Sequence, residues 1–285
     1  MRYSLRRTVM VLLFLALTIL CGESAGVSLS LLLRRGVRFF DIAGAMIPPD
    51  MPYGRIVLAP LWATVQMSLA GTGIGAVLGL VGGSFASAYL NPHAWLRVPF
   101  KAVIHLIRTI PALILALLCT FLVGLGTLAG TLALSIYTTA VMARMGYEDM
   151  ENADQKAAKA LEAAGCGRLR AFIRTILPVV LAGYLINVLY MLEANVRHAA
   201  ILGYVGAGGI GLLLNERLAW REYSEVGMIL LLLYGVVILT EGVSEWLRQV
   251  LSGKRHLSRT EKTVLGLVLA GLFLSSFIIQ IALPI

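Results

Sequence analysis

The chain has 285 residues, 59% of them apolar and only 14% charged, with a formal net charge of +9 and a mean hydropathy of +0.85. Soluble domains carry about a quarter charged residues, so a soluble core is excluded, and several apolar runs reach the roughly 20 residues that cross a bilayer. The runs are continuous rather than alternating, which excludes a transmembrane β-barrel and leaves helices, whose backbone satisfies itself in hydrocarbon.

Read in chain order, the apolar runs predict spans at 8–24, 57–90, 98–124, 127–145, 177–197, 225–248 and 263–283. The opening "MRYSLRRTVMVLLFLALTILCGESAG" has the basic head and apolar body of a signal peptide. Leu20 is bulky where a lipoprotein needs a small residue before Cys21, so this run is read as a retained first span. Residues 25–56 read as an amphipathic interfacial segment followed by a proline-rich turn. With the N-terminus inside and alternating spans, the outside holds Arg34, Arg35, Arg38, Arg55, Arg197, Arg217 and Arg221, seven of the 24 basic residues. Arg108 falls within a span and the remaining 16 lie inside. That bias supports the orientation and accounts for the positive charge without nucleic acid, since no basic stripe is interleaved with aromatics.

The largest polar stretch, 144–175, is rich in strong helix formers. It predicts two short cytoplasmic helices with a turn at Gly165-Cys166-Gly167 and places Pro178 in the first turn of the next span. Within it, "AAKALEAAGCGRLRAFIRTILP" resembles the cytoplasmic motif of ABC importer permeases, Glu-Ala-Ala-x3-Gly-x9-Ile-x-Leu-Pro, with Gly165, Leu177 and Pro178 in register. Glu162-Ala163-Ala164 stands out of that register. Lys159 occupies the usual Glu position, and Thr175 the Ile position. Glu148, Glu151 and Asp154 form an acidic lead-in.

A second stretch, "EANVRHAAILGYVGAGGIG" from Glu193 to Gly211, combines charges with five glycines. Glu193 and Arg197 stand at i and i+4 and share a helix face. Charges at membrane depth are expensive, so they read as a polar rim on a wet path or as an ion pair at the helix end. Gly206-x-Gly208-x-x-Gly211 meets the dinucleotide fingerprint by letter, but a membrane helix precedes it where a βαβ strand is required. Gly206, Gly208, Gly209 and Gly211 read instead as a broken, cavity-lining segment able to act as a gate. Arg108 is either a snorkelling base or an anion contact, because guanidinium binds phosphate-like oxygens bidentately. Tyr137 adds a hydroxyl.

The whole stretch resembles the signature of phosphonate-type ABC importer permeases through Glu193, Asn195, Val196, Arg197, Ala199, Gly203 and Val205 to Gly211. "RTIPALILALLCTFLVGLGTLAGTLAL" and "TEGVSEWLR" agree, with Tyr137 where relatives often carry His and Glu241 where Asp is common. The resemblance covers roughly 56–250. It implies an all-α integral membrane bundle of the type I ABC importer permease class, with six or seven transmembrane helices. The organisation expected is an N-terminal helix and interfacial segment at 1–55, a permease core at 56–250 with a coupling loop at 146–176, and a basic linker with an added helix at 251–285.

The function implied is ATP-driven import of phosphonate, phosphite, hypophosphite or phosphate across the bacterial cytoplasmic membrane. The partners implied are an ABC ATPase dimer, a second permease copy, an extracytoplasmic solute-binding protein and membrane lipid. ATP and Mg belong to the ATPase, since this chain has no Walker A motif and no cofactor is expected in it. The expected path residues are Arg108, Tyr137, Glu193, Asn195, Arg197, Gly206, Gly208, Gly209 and Gly211. The expected coupling residues are Glu148, Glu151, Asp154, Lys159, Glu162, Ala163, Ala164, Gly165 and Pro178. No metal spacing occurs among the three cysteines and four dispersed histidines, and no nucleophile–base pair marks an enzyme. The alternatives are a permease of the same architecture for another solute, such as an amino acid, and a secondary transporter.

Overall fold

The computed structural model describes residues 2–24, 26 and 29–252. The expected span at 263–283 lies outside the described residues. The first helix, α1 (Arg2–Ser24), contains the run expected at 8–24 and leaves the apolar side chains between Val9 and Leu20 exposed, as a lipid-facing helix does. The interfacial segment forms α2 (Leu29–Ala45), and the proline-rich turn after it is tied down where Ser224 Oγ donates to the Pro48 carbonyl at 2.9 Å.

The centre of the molecule is a pair of parallel helices, α3 (Gly54–Ala86) and α6 (Thr127–Asn152). Gly71, Gly75, Gly79 and Gly83 recur every fourth residue and form one ridge of α3. A Cβ on Gly71 would lie 2.6 Å from Leu134 Cβ, on Gly75 2.5 Å from Thr138 Cβ, and on Gly79 2.7 Å from Met142 Cβ. Lipid provides no hydrophobic drive between helices, so small residues that let backbones approach closely supply the contact. The antiparallel helix α8 (Arg168–Leu202) completes the core, with Tyr184 Oη donating to the Ala76 carbonyl and Ser68 Oγ to the Asn195 carbonyl.

Two expected spans differ. The run at 98–124 is broken into α4 (Ala94–Thr109) and α5 (Ala112–Val123), bent by 97°. Pro111 supplies no N–H and forces Ile110 out of the α region, where it sits extended at ψ 124°. Pro178 does not start a span; it lies well inside α8, which runs unbroken from the polar stretch into the membrane. Its ring is exposed, and it leaves the helix without one i to i−4 hydrogen bond.

The short α7 (Lys156–Ala163) precedes α8, and Gly165 between them takes φ +88°. Cys166 N–H reaches back to the Leu161 carbonyl at 2.9 Å, a helix-ending bond that only a left-handed residue allows. Beyond α8 a 3-10 turn at Gly203–Val205 leads through the glycine run into α9 (Ile210–Trp220) and α10 (Tyr223–Leu251). By length and composition, four described helices (α3, α6, α8 and α10) can cross a membrane, or five if α4 and α5 form one broken span.

Candidate functional site

The α4–α5 break opens a cleft of ≈ 320 Å³. Arg108, in the last turn of α4, and Tyr137, on α6, both line it, and so does His198 of α8. The ring of Tyr137 packs edge-on against His198 at 5.6 Å. Buried His198 Nδ1 has no hydrogen-bond partner among the described residues. Ala112 and Leu113, at the start of α5, also line this cleft, and their amides, the first of the helix, precede those of Ile114 and Leu115, which donate to the Pro111 carbonyl. No carboxylate lines it. The cleft lies at the mid-height of the bundle: Tyr137 adjoins Thr138, and Thr138 Oγ1 accepts from Asn195 Nδ2 at 2.8 Å, as does Thr72 Oγ1 of α3.

Asn195 is fully buried and ties α8 to both parallel helices, so it lines no open path in this conformation. The neighbouring charges form their own group. Glu193 Oε1 accepts from Arg197 at 3.1 Å, and Glu193 Oε2 pairs with Arg248 of α10 at 3.3 Å. Arg248 also holds Glu245 at 2.9 Å and lies 4.1 Å over the Tyr190 ring. Its side chain is only 10% exposed. Counted from sequence as a cytoplasmic flanking charge, Arg248 is instead drawn onto the Glu193–Arg197 face, because α10 crosses α8 at the level of Glu193.

The glycine run makes a packed plug. Gly206, Gly208 and Gly209 have φ of +80°, +74° and +74°, a backbone that side chains resist. Gly126 N–H donates to the Gly206 carbonyl at 2.9 Å, and Ile210 N–H to Thr64 Oγ1 at 2.8 Å. Ala207 is fully buried between these strands of contact. The run therefore seals against α3 and the start of α6 in this conformation.

At the far end of the bundle, the predicted coupling residues divide by face. Lys159, Ala163, Ala164 and Gly165 are exposed, and Asp154 caps the start of α7 by accepting from the Lys156 N–H. Pro178 is exposed as well, Glu148 pairs along its own helix, and Glu151 and Glu162 bond to other elements. Glu148 pairs with Arg144 at 2.7 Å. Glu151 takes Lys101 Nζ at 2.9 Å and the Ala88 N–H at 2.9 Å. Glu162 accepts from the Tyr89 hydroxyl. Tyr89, in the α3–α4 connection, also stacks on Phe172 at 6.1 Å and carries the Arg168 guanidinium 5.4 Å from its ring centre. Burial and the Glu162 carboxylate push the Tyr89 phenol up to about 12. A raised phenol keeps this bond intact below its ordinary value and gives it up as pH climbs through about 12.

Sequence reasoning missed His198, Arg248 and Tyr89. A helix-face count from Asn195 puts His198 beside the polar positions, so that signal was present; the other two depend on helix crossings that no local pattern encodes.

A family model described as "Binding-protein-dependent transport system inner membrane component" matches residues 71–256. The "Phosphite transport system permease protein PtxC" of Stutzerimonas stutzeri is 33% identical over 208 residues, 73% of this chain and 76% of that protein. The "Phosphate-import permease protein PhnE" of Mycolicibacterium smegmatis is 32% identical over 204 residues, 71% of this chain and 38% of that protein. In fold, the inward-facing structure of the MetNI methionine ABC transporter is similar with a TM-score of 0.61, at 22% identity over 71% of this chain and 99% of that one.

Proposed function

Because this chain belongs to the family of binding-protein-dependent transport system inner membrane components, a transport subunit and not an enzyme, we propose that it is the membrane-spanning permease of an ATP-driven importer for phosphorus oxyanions. Phosphite and phosphate are the solutes named for its relatives. The membrane is the bacterial cytoplasmic one, and two permease copies enclose the path. An extracytoplasmic binding protein delivers the solute, and two ATPase subunits hold ATP and Mg.

One observation carries this reading. The α7–α8 unit is bolted to the bundle on its inner face, through Glu162–Tyr89 and buried Ala158, while its outer face is bare. A helix fixed on one side and open on the other is a lever that a soluble motor can push. Closure of the ATPases moves α7, and Tyr89 passes the displacement to the α3–α4 connection. Two global states with different contacts at the lever are what lets ATP bias access to the path. Arg108 and Tyr137 contact the anion, Glu193 and Arg197 border the path, and Gly206 to Gly211 form its gate.

The test is co-purification and uptake. The wild-type permease is expected to retain its ATPase and to import labelled phosphite in proteoliposomes when the binding protein and ATP are present. Gly165→Pro is expected to lose the ATPase while still inserting in the membrane, because proline cannot adopt φ +88°. Retention of full uptake by that variant rules out α7 as the lever. Tyr89→Phe keeps the stack on Phe172 and removes the bond to Glu162. Uptake per ATP hydrolysed is expected to fall by about tenfold or more, the loss of one hydrogen bond to a charged group, with ATPase still bound.

A further inference from the structure

We propose that the cleft at the α4–α5 break is a binding site for one tetrahedral oxyanion, with His198 as a specificity contact beside Arg108. The proposal rests on the import reading and assigns its substrate site within a single protomer. Arg108 lines the cleft and is exposed, so its guanidinium is open to a ligand there. Arg248, which is nearly buried, is held by two carboxylates. Arg108 has none among the described residues, and none lines its cleft. What the cleft offers instead is donors: a guanidinium fork, the Ala112 and Leu113 amides at the start of α5, and the Tyr137 hydroxyl. The α5 N-terminus adds the positive end of a helix dipole to the guanidinium charge. Broken helices in membrane transporters aim their half-helix N-termini at anionic substrate groups for this reason.

His198 completes the arrangement. Its buried Nδ1 has no partner, and its ring is fixed edge-on by Tyr137. A buried ring nitrogen left unpaired is costly until a ligand atom meets it. Polar residues of three helices (α4–α5, α6 and α8) line the cleft around one small volume, which suits a tetrahedral group better than a planar carboxylate held by one fork.

The test uses the complete complex of permease, ATPase and binding protein in proteoliposomes. Maximal uptake of labelled phosphite and the half-saturating concentration of loaded binding protein are measured separately. Arg108→Gln and His198→Ala are each expected to cut maximal uptake about tenfold or more, with the half-saturating concentration kept, since docking lies elsewhere. His198→Asn places an amide nitrogen near the Nδ1 position and is expected to recover most of the rate. A fold defect at this position would not distinguish Asn from Ala. Wild-type rates in both Arg108→Gln and His198→Ala overturn the site, and equal impairment of His198→Asn and His198→Ala overturns the role of Nδ1. A wild-type complex that imports no phosphorus oxyanion overturns the import reading itself.

Discussion

Gly211→Ala is expected to lower the thermal midpoint of the purified permease by several degrees and to abolish uptake. Glycine to alanine inside a helix ordinarily stabilises by about 0.5–1 kcal/mol, because alanine has less backbone freedom to lose. Here the sign reverses. A Cβ on Gly211 would stand 2.2 Å from the Ala200 carbonyl oxygen and 3.0 Å from the Cα of Gly203. Both are backbone atoms and cannot rotate away. The first turn of α9 therefore rests directly on the last turn of α8, and one methyl group drives the two apart. Forced overpacking of this kind costs about 1–3 kcal/mol, and more where backbone must move. Gly235→Ala is the matched control: it lies inside α10 with nothing within 4 Å of its Cβ position, and it is expected to be neutral or stabilising. Thermal unfolding of both variants in one detergent checks the pair. Equal midpoints for the two would show that α8 and α9 do not meet through Gly203 and Gly211.

That contact explains what the sequence revealed about the glycines and what it concealed. Composition and context were enough to read the run from Gly203 to Gly211 as conformational rather than nucleotide-binding. The positive φ at Gly206, Gly208 and Gly209 agrees with that reading. Gly203 and Gly211 are needed for a different reason, a backbone contact between residues eight apart, and nothing local distinguishes the two uses. The ridge of Gly71, Gly75, Gly79 and Gly83 was visible as a four-residue repeat and went unread, because its meaning depends on Leu134, Thr138 and Met142 lying across from it.

Pro111 was in plain view inside the run at 98–124, yet apolarity alone argued for one span. Hydropathy registers transfer to lipid, and a backbone break with its own cleft is nearly invisible to it. Arg108 was recognised as an intramembrane charge, but only the break supplies the α5 amides, and only the packing of α8 on α6 supplies His198. The coupling motif shows the reverse case. Its spacing located the turn at Gly165 correctly, whereas the inward turn of Glu162 toward Tyr89 depends on a residue 73 positions away.

Asn195→Asp is expected to destabilise the bundle by on the order of 3 kcal/mol or more, and by more than Asn195→Ala does. The ordering is the informative part, since aspartate is nearly isosteric with asparagine and alanine is much smaller. If volume alone decided the outcome, aspartate would be tolerated and alanine would not. Asn195 is fully buried and gives both amide hydrogens away, to Thr72 Oγ1 and Thr138 Oγ1 at 2.8 Å each. Thr72 already spends its own hydroxyl hydrogen on the Ser68 carbonyl at 2.6 Å. Aspartate therefore sets an acceptor against an oxygen with no hydrogen left to offer, and it does so with a full charge at a fully buried position. Alanine loses the same two bonds but leaves neutral hydroxyls behind. Any state that parts α8 from α3 and α6 breaks both amide bonds at once, so this residue also sets a threshold for opening the bundle at mid-height. A double-mutant cycle of Asn195→Ala with Thr138→Val separates the bond from the cavity. Non-additivity within about 0.5–3 kcal/mol identifies a direct interaction, and strict additivity assigns the whole effect to packing. The cycle is read by thermal unfolding in detergent. Uptake under the same conditions then reports whether a weaker bolt also changes the rate at which the path alternates.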